Sequence, residues 1–129
     1  MHRSRIGVVL IDHPEDRYEA AATFWAAALG APRVHPDGPP EDDPYESLPS
    51  LGGTNLELQR TGAGTAPRVH IDIETDDVAA ETTRLVGLGA TVREHRSEGY
   101  TILDDPGGMV FCVVPVQTAD FAEHATVWP

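Results

Sequence analysis

The chain contains no lysine, and all nine basic residues are arginine. That absence excludes Schiff-base chemistry on a side-chain amine. Cys112 is the only cysteine, so no internal disulfide can form, which suits a reducing cytoplasm. No apolar run approaches the length needed to span a bilayer, and no membrane association is expected. The start, MHRSRIGVVLIDHPED, is basic and briefly apolar, but Asp12 ends that run and no small-residue cleavage site comes after it, so it does not read as a signal peptide. Positive charge is scarce. A net charge of −12 argues against a surface that tracks phosphates, so nucleic acid is not an expected partner. The same charge keeps the protein soluble and would attract cationic small molecules through the long-range field. The residue usage, all arginine and rich in Ala, Gly and Pro, points to a GC-rich bacterial genome. A length of 129 residues gives one domain with a real core and is too short for two.

What is present is organised around Pro67–Asp77, PRVHIDIETDD. Val69, Ile71 and Ile73 alternate with His70, Asp72 and Glu74, the period of a half-buried strand with one face on a core and the other carrying an imidazole and two carboxylates. Asp76 or Asp77 then stands where a helix N-cap is expected, before Val78–Leu88. The half of the chain before this stretch is a first copy of the half that the stretch opens. Tyr45-x-x-Leu48-x-x-x-Gly52-Gly53-x-x-x-Glu57 recurs at constant offset as Tyr100-x-x-Leu103-x-x-x-Gly107-Gly108-x-x-x-Cys112, and Ala28-Leu29-Gly30-Ala31 recurs as Gly87-Leu88-Gly89-Ala90. The repeat is too long for a solenoid unit and indicates two half-domains sharing a core.

Each copy reads as strand, helix, Leu-Gly-Ala stop and three strands. In the first, Ile6–Asp12 is a strand buried on both faces, and Arg17–Leu29 is a helix with an apolar stripe at Ala21, Phe24, Trp25, Ala28 and Leu29, closed by Gly30 and Pro32. Arg33–His35 is a short strand, and His35–Pro44 a proline-rich, acidic surface loop whose spacing does not match a calcium-binding EF-hand. Tyr45–Leu51 and Thr54–Arg60 complete the copy, with Leu56 and Leu58 opposite Asn55, Glu57 and Gln59. Thr61–Ala66 links the halves. In the second copy, Val78, Leu85 and Leu88 face the sheet, and Ala90–Glu94, Tyr100–Leu103 and Met109–Pro115 are strands, with a tight turn at Asp104–Gly108. Gln117–Pro129 is a weakly helical tail whose Trp128 should pack on its own domain or a partner. Phe24 and Trp25 read as helix core, Arg5, Arg33 and His35 as surface, Tyr45 and Tyr100 as core or cavity wall, and Glu74 as solvated.

With two βαβββ-like halves in place, the sequence resembles the glyoxalase/bleomycin-resistance/dioxygenase family, the vicinal oxygen chelate fold, and within it the bacterial glyoxalase-like branch. The resemblance covers about residues 5–115, carried by FWAAALGA, LELQ, PRVHIDIETDDV, RLVGLGA and DPGGMVFCVV. It implies an α+β fold of two tandem βαβββ modules whose curved sheets enclose a cavity in a single domain: module 1 over about 5–60, linker 61–66, module 2 over about 67–115 and tail 116–129. Metal-dependent members take ligands from the first and last strand of each half. At those positions this chain has His70 in the second half and Glu57 in the first. Cys112 stands where Glu is usual, and the remaining position, near Val8, has no ligand atom.

The resemblance therefore implies binding, with or without transformation, of a small organic molecule in a sheet-lined cavity, without a complete metal site. His70 and Glu57 would be the catalytic or polar pair, and Asp72, Tyr45 and Tyr100 would line the cavity. The alternative is a metal-dependent lyase, isomerase or dioxygenase holding Zn, Fe, Ni or Mn through Glu57, His70 and Cys112, a three-ligand set with an open position. In its place, Cys112 could act as a small buried hydrophobe. A cytoplasmic homodimer is expected, the dimer partly because the half-domains and Trp128 call for a partner surface.

Overall fold

The structure is a computed structural model, and residues 1–35, 43–49 and 55–129 are described. The loop expected at His35–Pro44 and the first Gly-Gly turn lie largely outside the described residues. The secondary structure is mixed α and β, as expected. By packing the chain forms two compact units, residues 8–70 and residues 1–7 with 71–129.

In the unit of residues 8–70, the C-terminal part of β1 (His2–Pro14) pairs in parallel with β3 (Asn55–Thr61), and β3 pairs antiparallel with β2 (Tyr45–Leu48). An isolated bridge between Val34 and Ser47 is what becomes of the short strand expected at Arg33–His35. Helix α1 (Tyr18–Leu29) ends where Gly30 adopts φ 62°, a left-handed conformation that favours glycine. Its buried residues are Tyr18 and Ala22, which join Leu48 and Leu58 in the core, with Trp25 and Ala26 packed alongside. The stripe is therefore set differently from the sequence expectation: Trp25 is inward but Phe24 is 62% exposed. The small alanines of YEAAATFWAAAL make several helix faces equally acceptable by pattern, and the ring of Tyr18 settles the choice.

In the other unit, β4 (Arg68–Thr75) pairs in parallel with β7 (Val110–Pro115), which pairs with β6 (Thr101–Asp104), which pairs with β5 (Thr91–His95). The first residues of β1 pair with β8 (Thr126–Trp128). Helix α2 (Val78–Gly87) is capped by Asp77, whose carboxylate accepts from the Ala80 N–H at 2.9 Å. Val78 and Leu85 pack with Ile71, Ile73, Leu103, Phe111 and Val113, but Leu88, expected to face the sheet, is 68% exposed. The tail holds a short helix, α3 (Phe121–His124), before β8. Trp128 packs within its own chain. Its indole N–H donates to Ser4 Oγ at 2.8 Å and the Arg84 guanidinium lies 3.8 Å from its ring centre, so this tryptophan demands no second chain.

Candidate functional site

The duplication can be read in the strand registers. In the parallel pair β1–β3, Leu10 is opposite Glu57, and in the parallel pair β4–β7, Asp72 is opposite Cys112. Glu57 and Cys112 are thus equivalent. Two residues earlier on each first strand, His70 corresponds to Val8, which is 4% exposed and carries no donor atom.

Along β4 the apolar residues Ile71 and Ile73 pack toward α2, so alternation turns Asp72 to the other face of the strand, with His70 two residues before it. Cys112, 5% exposed, comes from the neighbouring strand β7 directly across from Asp72. One ligand atom from each of His70, Asp72 and Cys112 lies within 4.8 Å of the others. Nitrogen, oxygen and sulfur donors therefore converge from two hydrogen-bonded strands. Burial holds the His70 imidazole below its ordinary pKa of 6.5; the Asp12 carboxylate opposes that shift and the Arg68 cation adds to it. A neutral imidazole is the form that offers a lone pair to a metal or a proton.

Glu57, Tyr45 and Tyr100 are the further residues expected at the site. Glu57 is half-buried on β3, between Leu10 and Ser47 in register, and does not belong to the three-residue group. The Tyr45 hydroxyl accepts from Gln59 Nε2 at 3.2 Å. Tyr100 lines an open cleft beside α2, on the side of the sheet opposite to Asp72 and Cys112. Asp72, expected as cavity lining, has a ligand atom within 4.8 Å of those of His70 and Cys112. The signal was its spacing of two from His70 on a strand.

Glu74 is fully buried, not solvated. Its carboxylate accepts from Arg5 Nε at 2.8 Å, from the N–H groups of Gln117 and Thr118 at 2.8 and 3.0 Å, and from the Thr118 hydroxyl. A Cβ on Gly7 would come within 2.8 Å of the Glu74 side chain, so glycine is required there. Arg5, Arg33 and His35 are likewise not simple surface residues. Arg5 bridges Glu74 and Asp120, while Arg33 grips the buried Glu46 through two bonds and reaches Glu19. His35 lies 3.5 Å from Glu46. The fully buried Glu81 of α2 accepts from Ser4 Oγ and from two Arg84 nitrogens, and lies 2.6 Å from His2 Nε2. Nothing in the sequence marks it, since Glu81 and Arg84 have the spacing of an ordinary surface pair.

These carboxylates set the acid stability. The bonds from Arg33 hold the Glu46 pKa down. Burial pushes Glu74 and Glu81 up, but bonds from Thr118 and Arg5 in one case, and from Arg84, His2 and Ser4 in the other, leave both below the ordinary value of 4.5. Their contribution is present above pH 4.5 and is lost as pH falls through the lower folded values. His70, depressed below 6.5, adds a smaller loss that starts as pH falls through 6.5. Melting curves should show a plateau above neutrality, a modest decline below pH 6.5 and a steep one below 4.5. A flat profile down to pH 3 would contradict this assignment.

The model of the glyoxalase-like domain family matches residues 8–114. No curated protein matches the chain. Among solved structures, methylmalonyl-CoA epimerase from Mycobacterium tuberculosis is similar at a TM-score of 0.58 and 17% identity, over 88% of this chain and 88% of that one. Homoprotocatechuate 2,3-dioxygenase from Brevibacterium fuscum is similar at a TM-score of 0.60 and 17% identity, over 90% of this chain and 37% of that one. For 2,2',3-trihydroxybiphenyl 1,2-dioxygenase from Sphingomonas wittichii the values are 0.59 and 16%, over 90% and 42%. The chain thus spans less than half the length of either dioxygenase, and identities this low carry the fold alone. No helix among the described residues is long and apolar enough to cross a membrane. Since the family model covers most of its length, the chain belongs to the glyoxalase-like domain family, of the vicinal oxygen chelate fold.

Proposed function

We propose that the protein binds a divalent transition metal through His70, Asp72 and Cys112, and that it acts there on a small organic molecule as a lyase, isomerase or dioxygenase. The observation that carries this reading is the convergence of three different donor atoms within 4.8 Å. Without Asp72, two donors would hold a divalent metal poorly. With it, the set has the three protein ligands and open position typical of catalytic zinc and of non-haem iron. A thiolate donor favours zinc or iron(II) over manganese. Bound there, the metal would act as a Lewis acid toward a substrate oxygen. The chain's own residues prepare the site. Burial keeps His70 neutral at pH 7, and the β4–β7 register fixes Asp72 against Cys112.

Binding without a metal is the second reading, favoured by the same neutral His70, which could take a proton from a bound ligand. Thermal denaturation with zinc, iron(II), nickel or manganese, before and after chelator treatment, separates the two. Metal at about a hundred times its Kd should stabilise the fold by about 2.7 kcal/mol, a rise of several degrees. Melting temperatures unmoved by every metal, alongside a titratable organic ligand, would leave the metal-free reading standing.

A further inference from the structure

We propose that the cleft between α2 and the β5–β6 hairpin is a binding site for a small uncharged molecule with an apolar body and one hydrogen-bonding oxygen directed at Thr82. The cleft has a volume of about 600 Å³ and opens on the α2 side of the sheet, opposite the face that carries Asp72 and Cys112. That volume is in the range of small-molecule sites. Val78 and Val86 of α2, Val92 of β5 and the Tyr100 ring supply apolar walls.

At its base Thr82 is only 7% exposed, and its Oγ1 is buried and makes no hydrogen bond among the described residues. A helical threonine ordinarily donates to the carbonyl four residues back, as Thr83 does to Ala79 O at 3.0 Å. Thr82 does not, and a buried hydroxyl without a partner is costly. A ligand oxygen reaching it would supply the missing bond. His95 Nδ1 is engaged with Thr101 Oγ1 at 3.2 Å, which leaves Nε2 as a further polar contact at the rim. Arg96 also lines the cleft, but Glu94 and Glu98 hold its guanidinium at 3.0 and 3.3 Å, so no cation is left over for an anionic ligand. Apolar walls, one buried hydroxyl and a neutralised rim select an uncharged ligand.

The probe is 2-naphthol, with 2-naphthoate as its anionic counterpart, titrated into the full chain and followed by amide NMR shifts. Saturable shifts are expected at Thr82, Val86, Val92 and Thr101 with 2-naphthol, and weaker binding with 2-naphthoate. Thr82→Val, which keeps the shape and removes the hydroxyl, should weaken 2-naphthol binding roughly tenfold. Thr82→Ser should retain it. Because the hydroxyl lacks a partner, Thr82→Val should also melt at or above the wild-type temperature. The proposal is overturned if 2-naphthol leaves these amides unmoved, if Thr82→Val binds it as tightly as wild type, if 2-naphthoate binds more tightly, or if Thr82→Val is clearly destabilised, which would show that the hydroxyl already has a partner.

Discussion

Glu74→Ala is expected to cost about 3–5 kcal/mol of folding stability, the range for breaking a buried ion pair from one side. Glu74 is fully buried, and its four bonds tie β4 to Arg5 and to the chain at Gln117 and Thr118. Alanine would leave the Arg5 guanidinium, 14% exposed, with Asp120 and Thr118 as its side-chain partners among the described residues, and two backbone N–H groups without theirs. Glu74→Gln keeps an acceptor for those N–H groups and loses the charge, so it should fall between wild type and alanine. Asp76→Ala is the control. Its pair with Arg3 is about a third exposed on both sides and its carboxylate also accepts from the Arg3 N–H at 2.7 Å, so its loss should cost about 1–2 kcal/mol, less than that of Glu74. Urea midpoints at pH 7 give all three values. A loss below 1 kcal/mol for Glu74→Ala would mean that the strand and the tail are held by something else.

The second large effect is on metal affinity. Substituting an outer-shell partner of a metal ligand typically weakens binding about 10–100-fold, and removing a direct ligand should cost at least as much. His70→Ala and Cys112→Ala should each therefore weaken zinc binding by about a hundredfold or more. Asp72→Ala should do the same, whereas Glu57→Ala should leave zinc affinity within a few-fold of wild type. The family resemblance implies Glu57 as the carboxylate ligand, and the structure brings a ligand atom of Asp72 within 4.8 Å of those of the histidine and the cysteine. Competition titration with a chromophoric chelator distinguishes the two carboxylates. Equal loss in Glu57→Ala and Asp72→Ala would put both in the ligand set, and loss in Glu57→Ala alone would favour the carboxylate that the family resemblance implies.

The fold was legible because its signals are periodic. Alternation in Arg68–Thr75, the Asp77 cap and the paired Tyr, Leu and Gly-Gly motifs all depend on local geometry, and β4, α2 and the three strands after them appear where the pattern put them. Helix faces were less legible. Alanines in α1 weaken the stripe, and Phe24 points to water while Tyr18 packs inside. The buried charges were hidden for a different reason. Glu46, Glu74 and Glu81 have arginine partners far from them in sequence, or at a spacing common on helix surfaces, so only tertiary packing shows that they are buried. The candidate site lay between these cases. His70 and Cys112 stand out by residue type and repeat position. That Asp72 faces Cys112 depends on a strand register that no single sequence displays.

Cobalt(II) titration of the purified chain, followed by absorption, tests the central claim most directly, because a sulfur-to-cobalt charge-transfer band arises only when a thiolate binds the metal. A band saturating at one equivalent, absent in Cys112→Ser and in His70→Ala, is the predicted result. The absence of any saturable band in the wild-type chain, or a band unchanged in Cys112→Ser, would contradict a metal site built on His70, Asp72 and Cys112.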